Sequence, residues 1–448
     1  MSSTVFSLDR ILMAGVLLLL IWLPLPLASN REWALGVMLL WIGGLGLIWA
    51  VAQWRAVLPP GKALKPGLPL LGLLLLAQLW VALQWATGLS MDTGATLQAL
   101  LLGCALSLLF LLTLSLFRSR KRLNWLLGTL VVSGTLQGFY GAFMTLTGIE
   151  WLLLVPKETY IGNATGTFVN RNSMAGYLAM CLAAGIGLLM AWRDSRDFRW
   201  TNLIEMLLGP KARLRLALVI MVIALVMTHS RGGNAAFFAA LLCVGGLFVL
   251  RDKRNRLRNG LILASILIID VLVISQYFGL ERLKDRVLST QFTDVVVDGA
   301  VVQKANELRD DVFFAAIPLA QERPWTGQGA GSFEAVFPRF PGPDIRLHFD
   351  LAHNDYMQFF VEFGVLGFAP LLLFVLLVLR LALQPVWLNE SLYRSGVGMG
   401  VGVGVLAIGF HGLTDFDLQM PANAATFVVL CAVAVLANHH SSVRRKTG

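Results

Sequence analysis

Long apolar runs separated by short polar loops fill most of this chain. Runs of about 18 or more apolar residues recur, which is the length that an α-helix needs to cross roughly 30 Å of hydrocarbon. In lipid, backbone groups must be satisfied within each segment, so the pattern predicts an all-α, polytopic membrane protein. About twelve spans are expected, at 11–27, 33–51, 68–85, 97–117, 125–147, 173–192, 214–228, 234–250, 260–279, 356–383, 396–412 and 423–437.

Composition agrees with this class. Apolar residues make up 57% of the chain and charged residues 14%, against about 25% charged residues in soluble domains. The four cysteines all fall inside predicted spans, where they behave as small apolar residues. We therefore expect no disulfide and no thiolate metal site.

Lysine and arginine are unevenly shared between the two sides. With the N-terminus in the cytoplasm, 24 of the 36 Lys and Arg residues fall on the cytoplasmic side, and the short loops opposite hold 4. Because positive charge in short loops marks the cytoplasmic side, both termini are expected there, including a basic tail at 438–448. Contact with anionic lipid headgroups accounts for the net charge of +10, so membrane lipids and no nucleic acid are the expected partners.

One long loop, residues 280–353, lies on the outer side. Loops of this length are usually functional or disordered. Apolar residues recur within it at helical spacing, at Ala305, Leu308, Val312, Ala316 and Leu319. This spacing predicts an amphipathic helix over 304–320, bent at Pro318, lying over the bundle. The glycine-rich segment 327–331 that follows is compatible with a plain turn or with a backbone that contacts a ligand.

The candidate catalytic and substrate-binding residues lie in the outer loops. His353 lies where the long loop re-enters an apolar span, and an imidazole, with an ordinary pKa of about 6.5, suits proton transfer. Arg171, Arg231 and Arg309 are also predicted on this side, against the positive-inside bias. Guanidinium groups bind phosphate oxygens through paired hydrogen bonds, so a lipid-linked phosphate is the predicted substrate class, with snorkelling interfacial charges as the alternative.

Four motifs in these loops resemble the O-antigen ligase and O-antigen polymerase superfamily of bacterial inner membranes. They are Gly-Thr-Phe-Val-Asn-Arg-Asn at 166–172, Ser-Arg-Gly-Gly at 230–233, His-Asn-Asp-Tyr-Met-Gln at 353–358 with Glu362 and Gly364, and Asp-Phe-Asp-Leu-Gln-Met-Pro at 415–421. The resemblance covers about 166–424. It divides the chain into N-terminal transmembrane helices (1–165), a ligase- or polymerase-like core (166–437) with the periplasmic loop, and the tail.

The resemblance implies transfer of a glycan from undecaprenyl pyrophosphate to an acceptor hydroxyl on the periplasmic face. His353 would be the catalytic base, and Arg231, Arg309 and Arg171 would bind the pyrophosphate. Four further residues are expected to support the site, with Asp415 or Glu362 orienting the histidine: Asn354, Tyr356, Glu362 and Asp415. The reaction would invert the anomeric centre and need no metal ion or other cofactor, and no histidine or carboxylate pair has a recognised zinc spacing.

Two alternatives stay open. A ligase that uses lipid A–core as acceptor and a polymerase that joins lipid-linked repeat units need the same donor site and the same base. A secondary transporter is the alternative of another class, but such folds are often built from related halves. Here the long loop falls between the ninth and tenth spans, and no internal repeat is evident.

Overall fold

The computed structural model describes residues 2–59, 61–192, 209–265, 268, 295–297, 300–303, 309–339 and 348–439. Helices dominate this part of the chain, which confirms the all-α class. The longer helices are α1 (Ser2–Trp22), α2 (Glu32–Trp54), α3 (Leu64–Ala86), α4 (Thr93–Leu116), α5 (Arg120–Thr147), α6 (Arg171–Ala191), α7 (Pro210–Met227), α8 (Arg231–Arg251), α9 (Arg309–Glu322), α11 (Asp355–Leu388), α12 (Leu392–His411) and α13 (Pro421–His439). Shorter elements are α10 (Phe333–Val336) and two hairpins, β1 (Trp151–Leu152) with β2 (Val155–Pro156) and β3 (Val295–Val297) with β4 (Ala300–Gln303).

Nine of the helices within the described ranges are long and apolar enough to cross a membrane, namely α2 to α6, α8 and α11 to α13. Each coincides with a predicted span. The predicted spans at 11–27 and 214–228 are the helices α1 and α7, and α7 carries Lys211, Arg213 and Arg215. The predicted span at 260–279 is described only through 265 and at 268, and Asp270 lies outside the described residues. The protein is therefore a helical membrane protein.

Small residues let the centre of the bundle pack tightly. Along its length α6 is buried, and its glycines face those of α12. A β-carbon added at Gly187 would lie 2.8 Å from the Cα atom of Gly400, and one added at Gly396 would lie 2.5 Å from the backbone nitrogen of Ala191. Small residues at these contacts bring two membrane helices close enough for extensive van der Waals packing.

Exposed tryptophans ring both ends of the bundle, as they do at membrane–water interfaces. Trp33, Trp85, Trp151 and Trp325 lie at one end, which we call the site end because the candidate site described below lies there. Trp54, Trp125 and Trp387 lie at the other end, which we call the basic end after its arginines. At the basic end the buried carboxylate of Asp9 accepts hydrogen bonds from Arg118 and Arg122. The guanidinium group of Arg251 also stacks on the Trp387 ring there, at 4.1 Å.

The predicted amphipathic helix is present as α9, and residues 304–308 lie outside the described part. Val312, Ala316 and Leu319 are fully buried, as the spacing predicts, and they pack with Phe333 and Phe337 beside the start of α11. The long loop therefore contains a helix with its own small apolar core, seated on the bundle.

The helix α11 is broken at Gly364, and the glycine-rich segment fills the break. Gly364 has φ +60° and ψ −175°, a conformation open essentially to glycine alone. The N–H group of Gln328 donates to the Val361 carbonyl at 2.8 Å, and that of Val365 donates to the Pro324 carbonyl at 2.9 Å. Of the two interpretations of this segment, the contacts favour the structural turn, since its backbone binds α11.

Replacing Gly364 with alanine will lower the apparent melting temperature of the purified protein. An added β-carbon would overlap the Trp325 carbonyl oxygen, and strain of this kind costs about 1–3 kcal/mol before any clash. Thermal unfolding in detergent, followed by size-exclusion chromatography, measures the effect. Gly72→Ala in α3 is the matched control, because nothing lies within 4 Å of its added β-carbon. Equal melting temperatures for the two variants would contradict the assignment.

Candidate active site

Three helices begin side by side at the site end, each with a polar N-cap. The side chains of Asn170, Ser230 and Asn354 accept hydrogen bonds from the backbone N–H groups of Asn172, Gly233 and Met357, which fixes the starts of α6, α8 and α11. A helix start carries a partial positive charge. This end of the bundle is therefore electrostatically suited to an anion.

His353 precedes the cap of α11 and is half-buried between aromatic rings. Its ring centroid lies 4.8 Å from that of Phe416 and 6.1 Å from that of Phe349, and both contacts are edge-on. The residue has φ +50°, a left-handed conformation that is uncommon for residues other than glycine. Strained backbone of this kind is concentrated at functional sites and persists only where the surrounding structure holds it.

The connection between α12 and α13, which we call the 412–420 turn, positions His353. The side-chain amide of Asn354 donates to the Leu413 carbonyl at 2.8 Å, and the N–H group of Asp355 donates to the Gly412 carbonyl at 2.8 Å. In return, the Asp355 carboxylate accepts from the Leu418 N–H group at 3.1 Å. The start of α11 and the turn therefore form one rigid unit.

The same turn and the end of α12 pack against the start of α8. A β-carbon added at Gly232 would lie 2.6 Å from Thr414 Oγ1 and 3.3 Å from His411 Cδ2. Arg231, the first residue of α8, is exposed at this point. The helix start that bears Arg231 and the ring of His353 therefore both contact the 412–420 turn.

Beneath the turn, His411 and Asp417 form a buried pair, with His411 Nδ1 2.5 Å from Asp417 Oδ2. The Asp417 carboxylate also packs directly over the Gly176 backbone of α6 and accepts from the Asn423 side chain at 3.3 Å. These contacts give His411 a structural role. The pair ties the turn to α6.

Of the two other predicted arginines, Arg171 has described side-chain contacts and Arg309 does not. Arg171, the first residue of α6, donates to Asn163 Oδ1 at 3.1 Å and stacks on the Tyr160 ring at 5.5 Å. His229 Nδ1 lies 2.9 Å from the same Asn163 oxygen. Arg309 begins α9, but its side chain lies outside the described part, so its role stays a prediction.

Other arginines of the long loop could also reach a phosphate, and the two that the structure describes have structural contacts. Arg323 donates to the Leu89 carbonyl at 2.9 Å, and Arg339 pairs with Glu322 at 3.2 Å. Arg282, Arg286 and Arg346 lie outside the described residues.

Three predicted supporting residues contact neighbouring backbone. Tyr356 donates to the Gly409 carbonyl at 2.8 Å, and Asp415 accepts from the Phe416 N–H group at 2.9 Å. The buried Glu362 accepts from the Gly331 N–H group at 2.8 Å and from the Gln358 side chain. These contacts of Glu362 hold the glycine-rich turn against α11, so they differ from the expected pairing with His353.

An apolar cavity of about 420 Å³ opens next to the 412–420 turn, between α3, α4, α11, α12 and α13. Asp355, Gly412 and Leu413 line it at the site end, and Leu74 and Gly103 line it deeper in the bundle. Its apolar walls suit a hydrocarbon chain, and one end of it adjoins the residues that hold His353. Among the described residues, no group of three or more His, Cys, Asp or Glu side chains is placed to hold a metal ion.

The fold and this site define a polytopic membrane protein with a polar, arginine-bearing centre at one end of its bundle. Residues 216–372 match the family model described as O-antigen ligase, a range that contains Arg231, Arg309 and His353 and leaves out Arg171 and Asp415. Residues 216–372 therefore form a domain of the O-antigen ligase and polymerase superfamily, whose members are membrane enzymes that transfer glycans. No curated protein matches the chain.

Proposed function

We propose that this protein is a ligase that transfers a polysaccharide from undecaprenyl pyrophosphate to a hydroxyl of lipid A–core, at the periplasmic face of the inner membrane. The observation that carries the proposal is the shared 412–420 turn, which holds the His353 ring through Phe416 and the start of α8 through Thr414. A base and a phosphate-binding guanidinium group on one support suit attack on a diphosphate-activated sugar.

The diphosphate binds where the capped helices begin. Arg231 contacts it from the first turn of α8, Arg171 from the first turn of α6, and Arg309 from the start of α9. Guanidinium groups stabilise the charge that grows on the departing diphosphate, and the partial positive charge of the helix starts adds to this effect. The apolar cavity beside the site takes the first isoprene units of the donor.

His353 removes the proton from the acceptor hydroxyl. As the O–H bond breaks, the acceptor oxygen bonds to the anomeric carbon, and the bond from that carbon to the phosphate oxygen breaks. The electron pair of that bond leaves with undecaprenyl pyrophosphate, and the proton stays on the imidazole until solvent removes it. Attack from the face opposite the leaving group inverts the anomeric configuration, with no metal ion required.

The orientation follows from charge. The basic end, with Arg118, Arg122 and Arg251, faces the cytoplasm, since positively charged residues concentrate on that side. The N-terminus and the C-terminal end of α13 then lie in the cytoplasm, and His353 faces the periplasm. A donor that has been flipped to the outer leaflet reaches the site without crossing the membrane again.

The purified protein in liposomes will join glycan from its lipid-linked donor to lipid A–core, and EDTA will leave the rate unchanged. Mass spectrometry of the products measures the transfer and the anomeric configuration. Products in which repeat units are joined to one another on the lipid carrier would replace the ligase assignment with the polymerase. Loss of transfer on chelation, with recovery on adding a divalent cation, would contradict the metal-free mechanism.

A further inference from the structure

The hairpin β1–β2, which follows α5 at the site end, exposes an unusually apolar tip. Ile149, Trp151, Leu153, Leu154 and Val155 are all exposed, and Leu154 is 86% exposed. Water-exposed turns are normally polar, so five exposed apolar side chains in seven residues form an apolar patch that is expected to contact a protein or a membrane.

Two charges that flank the tip, Glu150 and Lys157, pair with each other, and Glu158 is exposed beyond the hairpin. Lys157 is buried, its ammonium group lies 2.7 Å from Glu150 Oε2, and it also donates to the Asn163 carbonyl at 2.6 Å. Glu150 Oε1 accepts from the Gly162 N–H group at 2.8 Å. Because the two charges pair internally, residues 151–155 present only apolar side chains and backbone.

Tyr140 fixes the depth of the hairpin. Its hydroxyl donates to the Trp151 carbonyl at 2.9 Å and accepts from the Leu153 N–H group at 2.9 Å. Tyr140 lies about 30 Å along α5 from Arg120, at 1.5 Å per residue, and the hydrocarbon layer is roughly 30 Å thick. With Arg120 at the opposite surface, the hairpin folds back to the edge of the hydrocarbon. Phe139 and Phe143, which flank Tyr140 along α5, are exposed as well.

The hairpin is joined to the candidate site through Asn163. Its carbonyl accepts from Lys157, and its side-chain oxygen contacts both Arg171 and His229. This chain of hydrogen bonds spans a few residues, so a displacement of the hairpin relative to the membrane is transmitted to the Arg171 side chain.

We propose that the tip of the β1–β2 hairpin inserts among the acyl chains of the adjacent leaflet and holds Arg171 at the lipid surface, within reach of a membrane-anchored diphosphate. Bilayer lipid is the partner because exposed phenylalanines flank Tyr140, which binds the hairpin, and because the patch includes an interfacial tryptophan. The statement about the diphosphate rests on the proposed function; the insertion does not.

Spin labels test the insertion without reference to activity. Leu154→Cys and Thr159→Cys, each made in the Cys104→Ser, Cys243→Ser protein, are labelled and reconstituted in phosphatidylethanolamine–phosphatidylglycerol vesicles. Both positions are exposed and only five residues apart. The label at 154 is expected to collide more with oxygen than with a water-soluble nickel chelate, and the label at 159 to do the reverse. Nickel-dominated collisions at both positions would overturn the insertion.

Transfer assays test the link to the site. Leu154→Asp is expected to raise the KM for an undecaprenyl-linked donor in vesicles about tenfold, which corresponds to roughly 1.4 kcal/mol, with kcat changed less than about twofold. Leu154→Phe keeps the wild-type KM, and a short-chain donor in detergent shows no difference between the variants. An unchanged KM for Leu154→Asp would overturn the link. If the wild-type protein transferred nothing, the proposed function would fall while the spin-label result stood.

Discussion

His353→Ala will abolish glycan transfer while leaving donor binding intact. A positioned base contributes about 10²- to 10⁴-fold to a rate. His411, which lies just before the 412–420 turn, cannot replace His353, because it is buried and paired with Asp417. Transfer is measured with lipid-linked glycan and purified protein in liposomes, and binding with the donor alone. His353→Gln, which keeps a polar side chain of similar length, is expected to be equally inactive.

His348→Ala is the matched control for this prediction. His348 lies five residues earlier on the same loop, is exposed, and contacts Glu334 at 2.8 Å. It is expected to retain the wild-type rate and stability. A His353→Ala protein that folds normally and transfers glycan within about threefold of the wild-type rate would refute a base at this position, since base catalysis contributes far more.

Arg231→Ala will reduce transfer about 10²-fold or more, because removing one group that stabilises transition-state charge typically costs that much. Arg231→Lys is expected to recover part of the lost rate, since an ammonium group keeps the charge and loses the paired hydrogen bonds. Separate determination of kcat and KM divides the effect between the leaving diphosphate and the bound donor. We expect both constants to change.

Arg31→Ala provides the comparison. Arg31 is an exposed arginine at the same end of the bundle, at the start of α2, and its loss should leave transfer unchanged. If Arg31→Ala and Arg231→Ala lowered the rate equally, a general attraction of positive charge for the anionic donor would replace the specific contact. Raising the salt concentration would then remove both effects, because salt screens exposed charges.

The helices and the apolar face of α9 could be predicted because each depends on short-range periodicity. Val312, Ala316 and Leu319 show this well: their spacing of three and four residues is enough to assign the buried face. Membrane spans are equally local, since any apolar run of sufficient length must form its own hydrogen bonds.

The contacts that build the site are not local in this way. Asn163 contacts His229 across 66 residues, and no pattern in a single sequence reports such a pair. Glu362 is similar: its motif position favours a role beside His353, but its partner Gly331 arrives from a turn 31 residues earlier. The polar motif at 415–421 indicates that the 412–420 turn belongs to the site. The contact of this turn with the start of α8, however, depends on how α12 packs, which only the folded structure provides.

The break at Gly364 divides α11 into two rods. The short rod, residues 355–363, follows directly on the imidazole of His353 and is held sideways by α3, since Gln84 donates to the Glu362 carbonyl at 2.9 Å and Trp80 donates to the Phe363 carbonyl at 2.8 Å. The long rod carries exposed apolar side chains, among them Leu366, Leu372 and Leu376. Because the helical hydrogen bonds are interrupted at Gly364, the direction of the short rod, which begins next to His353, is set by α3 and the glycine-rich turn and not by how the long rod lies in lipid.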